Sequence, residues 1–308
     1  MSAKTEFILL LSLLPLTLTA CVLGAEDAFS FPVYKEAVTP FHSSVDVPPV
    51  FSGKGNYGLV ALGDTLYHME LRHGRIHGKT AVNGIITALA SGPDSKAFVV
   101  CANQLVCIDG FSVTASCELT GAGVAVTVCG NDPVVLLEDG SLVLYSGTDL
   151  TLLGNYTPEN TGVTCIQGFP GIVTTGYSDG RMISLSIPSF SEIAAEKMNG
   201  SLIFMAGAGQ GNLIFSTDAW NEVAVCSPSD LVIQIMFTFP ETPVSAASDS
   251  EVTCIYAVCP SMGIQVCLAN GEIAWRTKEF GNDPFVVLST DCETALVTVG
   301  NTVTLLLK

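Results

Sequence analysis

The chain has 308 residues, of which 48% are hydrophobic and 13% charged. This composition excludes a disordered protein, because the apolar residues are numerous enough to form a large buried core. The 29 acidic and 12 basic side chains give a formal net charge of −17, which excludes nucleic acid as an expected partner because the surface would repel phosphate groups.

The first 24 residues are predicted to be a targeting segment. Lys4 precedes an uncharged run over residues 7–25, the layout of a signal peptide cleaved after Gly24. The run contains 19 residues, so an uncleaved membrane anchor is the alternative. A third interpretation is a bacterial lipoprotein signal ending at Cys21. We expect a lumenal, extracellular or membrane-anchored protein that touches the membrane only through this segment.

Residues 50–308 repeat one pattern, in which two apolar runs flank a tight turn. Turn residues from Gly63 to Asn301 recur with a mean step of (301 − 63)/6, or about 40 residues, the blade length of small propellers. The seven predicted hairpins lie at 59–69, 98–108, 134–145, 172–185, 213–225, 264–275 and 295–307.

The turns and an internal duplication support the same fold. Asp139-Gly140 and Asp179-Gly180 supply the positive φ that two-residue hairpin turns require. The segment at 130–137 is nearly identical to the one at 281–288. We therefore predict an all-β chain with a single β-propeller of about seven four-stranded blades over 50–308, because stacked blades bury faces that one blade leaves exposed.

By its period and pattern, the chain resembles the seven-bladed propellers of the WD40-like superfamily. The Gly-His and Trp-Asp marks of that family are missing, since Trp220 precedes Asn221 and Trp275 precedes Arg276. The segment at 126–147 also resembles repeats of the chromatin-condensation-regulator type. The resemblance implies a ring whose loops on one face engage other proteins.

Residues 25–49 are predicted to be an N-terminal extension that could close the ring. The seventh blade stops at Leu307, so it lacks an outer strand. Residues 33–38 or 45–51 could supply that strand.

Ten of the 11 cysteines follow Cys21, and most lie in apolar strand-like runs where a small side chain serves packing. No CxxC pair is present, which excludes the usual zinc signatures. Two pairs flank predicted turns at even spacing and are disulfide candidates: Cys101 with Cys107, and Cys259 with Cys267.

The only basic window of the sequence lies between residues 67 and 79. Arginine and histidine at a loop tip suit the recognition of a charged partner, whereas the alternative is a solvated hairpin or inter-blade loop. The candidate binding residues are Arg72, His73, Arg75, His77 and Lys79. A metal site built from His68, Glu70, His73 and His77 is disfavoured because the spacing matches no HExxH pattern and an extended strand would scatter the ligands.

No catalytic or cofactor-binding motif is convincing, so we expect no cofactor, no metal and no enzymatic activity. Two sequons, at Asn155 and Asn199, fall between predicted strands and are predicted surface sites for N-glycosylation. The predicted function is a non-enzymatic protein-binding or scaffold propeller. The alternative is a secreted propeller hydrolase or lactonase that acts on a small polar substrate.

Overall fold

The computed structural model of the chain describes residues 34–41, 45–53, 55–71, 73–159, 162–277, 285–288 and 294–307. The targeting segment predicted at residues 1–24 lies outside this part of the chain. No helix in the described ranges is long and apolar enough to cross a membrane.

The described strands form seven four-stranded antiparallel sheets, which we call blades 1 to 7. The seventh blade takes its first three strands from the C-terminal part of the described chain and its outer strand, β1 (Tyr34–Pro40), from the N-terminal part. Blades 1 and 2 contain β2 (Val50–Phe51), β3 (Tyr57–Leu62), β4 (Thr65–Glu70), β5 (Arg75–Ala81), β6 (Ile86–Ser91), β7 (Lys96–Cys101), β8 (Gln104–Asp109) and β9 (Ser112–Glu118). Blades 3 and 4 contain β10 (Gly123–Cys129), β11 (Asp132–Leu137), β12 (Leu142–Tyr145), β13 (Leu152–Tyr156), β14 (Val163–Phe169), β15 (Ile172–Tyr177), β16 (Arg181–Ser186) and β17 (Glu192–Lys197).

Blades 5 to 7 complete the set, with a short 3-10 helix at Gly209–Gly211 between the first two strands of blade 5. Their strands are β18 (Leu202–Gly207), β19 (Leu213–Thr217), β20 (Glu222–Cys226), β21 (Ile233–Thr238), β22 (Ser245–Ser248), β23 (Cys254–Cys259), β24 (Gly263–Leu268), β25 (Ile273–Thr277), β26 (Phe285–Leu288), β27 (Thr294–Val299) and β28 (Thr302–Leu307).

The blades form a closed ring, because the first strand of each blade contacts the first strands of both neighbouring blades. We call this first strand the inner strand and the fourth the outer strand. The prediction of an all-β propeller with seven four-stranded blades is confirmed. In blade 7, β1 pairs antiparallel with β28, so residues 34–40 supply its outer strand.

Six of the seven predicted hairpins are the second and third strands of a blade, but the hairpin predicted at 264–275 is wrong in phase. That segment contains β24 and β25, the third and outer strands of blade 6. The turn equivalent to the other six lies at residues 260–262, between β23 and β24. Taking residue 261 as the marker gives steps of 261 − 221 = 40 and 301 − 261 = 40, so the period is regular.

The hydrophobic core lies between blades rather than in one central mass. The cluster between blades 1 and 2, for example, packs Leu59 and Leu66 against Val99 and Ile108, all of which are buried. Equivalent clusters join blades 2 to 6 in sequence and blade 7 to blade 1. Each blade is therefore stabilised mainly by its neighbours, as the apolar character of both faces predicts.

A β-bulge interrupts the pairing of the third and outer strands in all seven blades. In blade 1 the register shifts between His68 and Met69, so that His68 pairs with Gly78 and Met69 pairs with Ile76. A bulge increases the local twist and redirects the side chains next to it. The last residue of the third strand before this shift, His68 in blade 1, is the equivalent register position in every blade.

Candidate interaction site on the first blade

The basic window predicted from the sequence lies at the outer edge of blade 1. His73 lies in the turn between β4 and β5, whereas Arg75, His77 and Lys79 belong to β5 itself. All four are exposed. The window was expected to be a hairpin or inter-blade loop, and it is the hairpin of β4 and β5, in which three of the candidates lie on the outer strand rather than at the loop tip. The fifth candidate, Arg72, lies outside the described residues.

The positive charge of this edge is only partly compensated. His73 Nδ1 lies 3.4 Å from a carboxylate oxygen of Glu70. Arg75 and Lys79 have no ion-pair partner within the described chain. In a protein with a net charge of −17, these two side chains leave a local cationic surface on an outer strand whose outward backbone edge pairs with no strand among the described residues.

Four aromatic rings meet beside this surface, where blade 2 contacts blade 1. The ring centroid of Phe111 lies 4.7 Å from that of His68, 5.6 Å from that of His77 and 6.1 Å from that of Tyr57. Tyr57 in turn lies 5.3 Å from His77. Phe111 belongs to the turn between β8 and β9, so it reaches across from the next blade.

The turn of blade 2 is held on β5 by two further contacts. Thr80 Oγ1 donates a hydrogen bond of 3.0 Å to the carbonyl oxygen of Phe111. A Cβ atom placed on Gly78 would lie 2.6 Å from the Phe111 ring, so only glycine leaves room for the ring. We call this contact the Phe111 clasp.

His68 is the buried member of the clasp, with 3% of its surface exposed. Its Nε2 atom has no hydrogen-bond partner in the described structure. Burial, and to a smaller extent the nearby His77, hold the pKa of His68 below its ordinary value. The imidazole is therefore kept neutral in an apolar environment.

The clasp recurs in the next three blades with other residues. In each case a turn residue two positions before the outer strand packs against the preceding blade, whereas Phe111 lies one position before β9. These residues are Leu150, Phe190 and Leu231 in blades 3, 4 and 5. Phe190 stacks on Tyr156 of blade 3 with a centroid distance of 5.9 Å. The Phe111 clasp is thus one case of a repeated inter-blade contact.

The aromatic part of the site was missed by sequence reasoning. His68 was considered only as a metal ligand, and neither Tyr57 nor Phe111 was singled out. Phe111 lies 31 residues beyond Thr80, so no local pattern marks the contact. Within the described residues no group of three or more His, Cys, Asp or Glu side chains could hold a metal ion.

The two predicted disulfides are not formed, because the strand register keeps each pair apart. Cys101 pairs with Gln104, and its side chain packs in the cluster of blades 1 and 2. Cys107 packs on the other face of the sheet, in the cluster of blades 2 and 3. The prediction that these thiols face each other is wrong, and both are free.

Cys259 and Cys267 lie on one face of blade 6 but are not opposite each other. Cys267 pairs with Ile255, four residues from Cys259 along β23. At about 3.3 Å per residue, four residues correspond to about 13 Å, which is beyond the reach of a disulfide. Both thiols are free.

The two predicted glycosylation sites differ in position. Asn155 was expected between strands but lies within β13, the outer strand of blade 3, where it is exposed. Asn199 lies between β17 and β18 and is also exposed. Both positions are accessible, and their modification stays a prediction.

Comparison with known proteins identifies the fold. No protein-family model matches the chain, and no curated protein matches it. The crystal structure of the Cps50 (Swd1) beta-propeller domain from Myceliophteria thermophila superposes with a TM-score of 0.75 at 11% sequence identity, and the match covers 90% of this chain and 99% of that domain. The chain therefore has a seven-bladed β-propeller fold, similar to that of this domain.

Proposed function

We propose that the protein is a non-enzymatic scaffold that binds an acidic segment of another protein through the outer edge of blade 1. The observation that carries the proposal is the exposed pair Arg75 and Lys79, which no carboxylate among the described residues neutralises. A partner that supplies carboxylates would gain both steering and specificity from these charges.

Apolar contacts are available beside the charges. Ile76 and Phe111 are each 44% exposed. Ile76 lies between Arg75 and His77 on β5, and the ring of Phe111 lies against His77. Interfaces commonly place aromatic and aliphatic side chains at the centre and charged side chains at the rim. This edge of blade 1, comprising Arg75, Ile76, His77, Lys79 and Phe111, is what we call the first-blade site.

We also propose that the protein acts in the secretory pathway, outside the cell or at a membrane, on the basis of the sequence of residues 1–24 alone. Buried cysteines are compatible with an oxidising compartment. Burial raises the pKa of the Cys129, Cys226 and Cys259 thiols to about 12 in each case, so very little reactive thiolate is present.

Site-specific photocrosslinking tests the binding proposal. A photoreactive amino acid at position 76 should crosslink a partner protein in the native host. Position 193 on β17 is the matched control, because Ile193 is also 44% exposed and also lies on an outer strand. The same products from both positions, or none from position 76, would contradict the proposal.

A further inference from the structure

The Phe111 clasp differs from its counterparts in the residue that lies at the equivalent register position of the third strand. In blade 1 that residue is His68, which pairs with Gly78 next to the bulge. The other six blades have a buried residue that is not a histidine at this position: Cys107, Leu144, Ser184, Val225, Val266 and Leu305. Only the contact between blades 1 and 2 therefore contains an imidazole at this position.

A proton on His68 would be poorly accommodated while the clasp is closed. Tyr57 from β3, His77 from β5 and the Phe111 ring from blade 2 surround the imidazole. None of these groups carries a negative charge at neutral or acidic pH, and a protonated His77 would add repulsion. Glu70, two residues along β4, is the nearest carboxylate on the same strand, and it is engaged with His73.

We propose that protonation of His68 opens the Phe111 clasp, so that acidification releases Phe111 from β5 and changes the surface that the first-blade site presents. The consequence for partner binding rests on the function proposed above. The opening itself does not, because it concerns only contacts within this chain.

The direction of the effect follows from linkage between protonation and opening. His68 has a lowered pKa in the closed form and regains its ordinary value of 6.5 once water reaches the ring. The open form then binds a proton that the closed form excludes. The stability of the closed clasp is therefore fully present above pH 6.5 and is lost as the pH falls below that value.

The linkage between protonation of His68 and opening also sets an upper limit on how much the opening equilibrium changes with pH. If His68 stays neutral in the closed form, the opening equilibrium increases about tenfold for each pH unit below 6.5. At pH 5 the increase is up to about thirtyfold relative to pH 7.5.

Hydrogen–deuterium exchange of the purified protein without any partner tests the proposal. Exchange rates, corrected for the intrinsic pH dependence of exchange, are compared at pH 7.5 and pH 5 for the segments around Arg75–Ala81 and Phe111. We expect faster exchange at pH 5 in both segments of the wild-type protein. The internal control is the Phe190 clasp on β13, where Leu144 lies at the equivalent position and exchange should not respond.

A variant separates His68 from other titrating groups. His68→Phe keeps a ring at the position but cannot be protonated, so its exchange at pH 5 should match that at pH 7.5. A wild-type protein without the response, or an equal response in His68→Phe, would overturn the proposal. Failure of the crosslinking experiment leaves this result unaffected, because no partner is present.

Discussion

The ring of Phe111 in blade 2 occupies the space that a side chain at Gly78 in blade 1 would need. A Cβ atom at Gly78 would approach the ring to 2.6 Å, closer than real Cβ atoms come to other atoms. The absence of a side chain at one outer-strand position therefore lets the neighbouring blade close over a buried histidine.

We expect Gly78→Ala to lower the free energy of unfolding by about 1–3 kcal/mol, the usual cost of forcing an extra methyl group into a packed contact. The midpoint of urea unfolding at pH 7.5 measures the change. Combining it with Phe111→Ala should remove most of the additional cost, because the clash partner is then absent.

Gly154→Ala is the matched control, since Gly154 holds the equivalent register position in blade 3. A Cβ atom there would lie 3.5 Å from the Phe190 ring, which is an ordinary contact distance. The substitution should be neutral or slightly stabilising because alanine restricts the unfolded chain. Equal destabilisation by both substitutions would mean that the Phe111 contact does not set the cost.

Thr164 links two blades through the backbone, and we expect its loss to destabilise the ring. Its hydroxyl donates to the carbonyl oxygen of Leu202 in blade 5 at 2.7 Å and lies 3.2 Å from that of Gly176. Thr164→Val should cost about 1 kcal/mol of unfolding free energy, the typical net value of such a bond. Thr87→Val should cost less, because the equivalent bond from Thr87 to Gly123 is longer, at 3.3 Å. A larger effect at Thr87 in urea unfolding would refute this ranking.

The buried thiols should react slowly in the native protein. The pKa of Cys129, raised by burial to about 12, leaves a thiolate fraction on the order of one in ten thousand at pH 8. Alkylation followed by mass spectrometry should label Cys129, Cys165 and Cys226 far faster after unfolding than before it. Peptides linked by a disulfide between Cys101 and Cys107 would contradict the structure.

The fold could be predicted from the sequence because each blade is marked by short sequence patterns that are close together in the chain. Apolar runs and glycine turns mark the hairpins, and Gly140 and Gly180 do have positive φ in the turns between second and third strands. The error in blade 6 has a physical reason. Gly271 also has positive φ, but its turn joins the third and outer strands, so good turn chemistry does not identify which pair of strands it connects.

The site was harder to predict, because its parts come from two blades. Exposed basic residues on one strand are visible in the sequence, but the position of Phe111 over Gly78 depends on how blades 1 and 2 stack. The predictions of two disulfides were wrong because they also depended on an arrangement of strands that the sequence does not show. Even spacing does not fix the strand register, and one residue of register decides which face of a sheet a side chain occupies.

The most direct test of the first-blade site is the affinity of the crosslinked partner for the purified protein with Arg75→Glu and Lys79→Glu combined. We expect the dissociation constant to rise at least about fivefold, equivalent to about 1 kcal/mol, with unchanged folding because exposed charges contribute little to stability. Lys197→Glu on the exposed outer strand of blade 4 is the control and should leave the affinity unchanged. Wild-type binding should also weaken as salt is added. An unchanged dissociation constant and an unchanged salt dependence in the double variant would show that the edge of blade 1 is not the binding site.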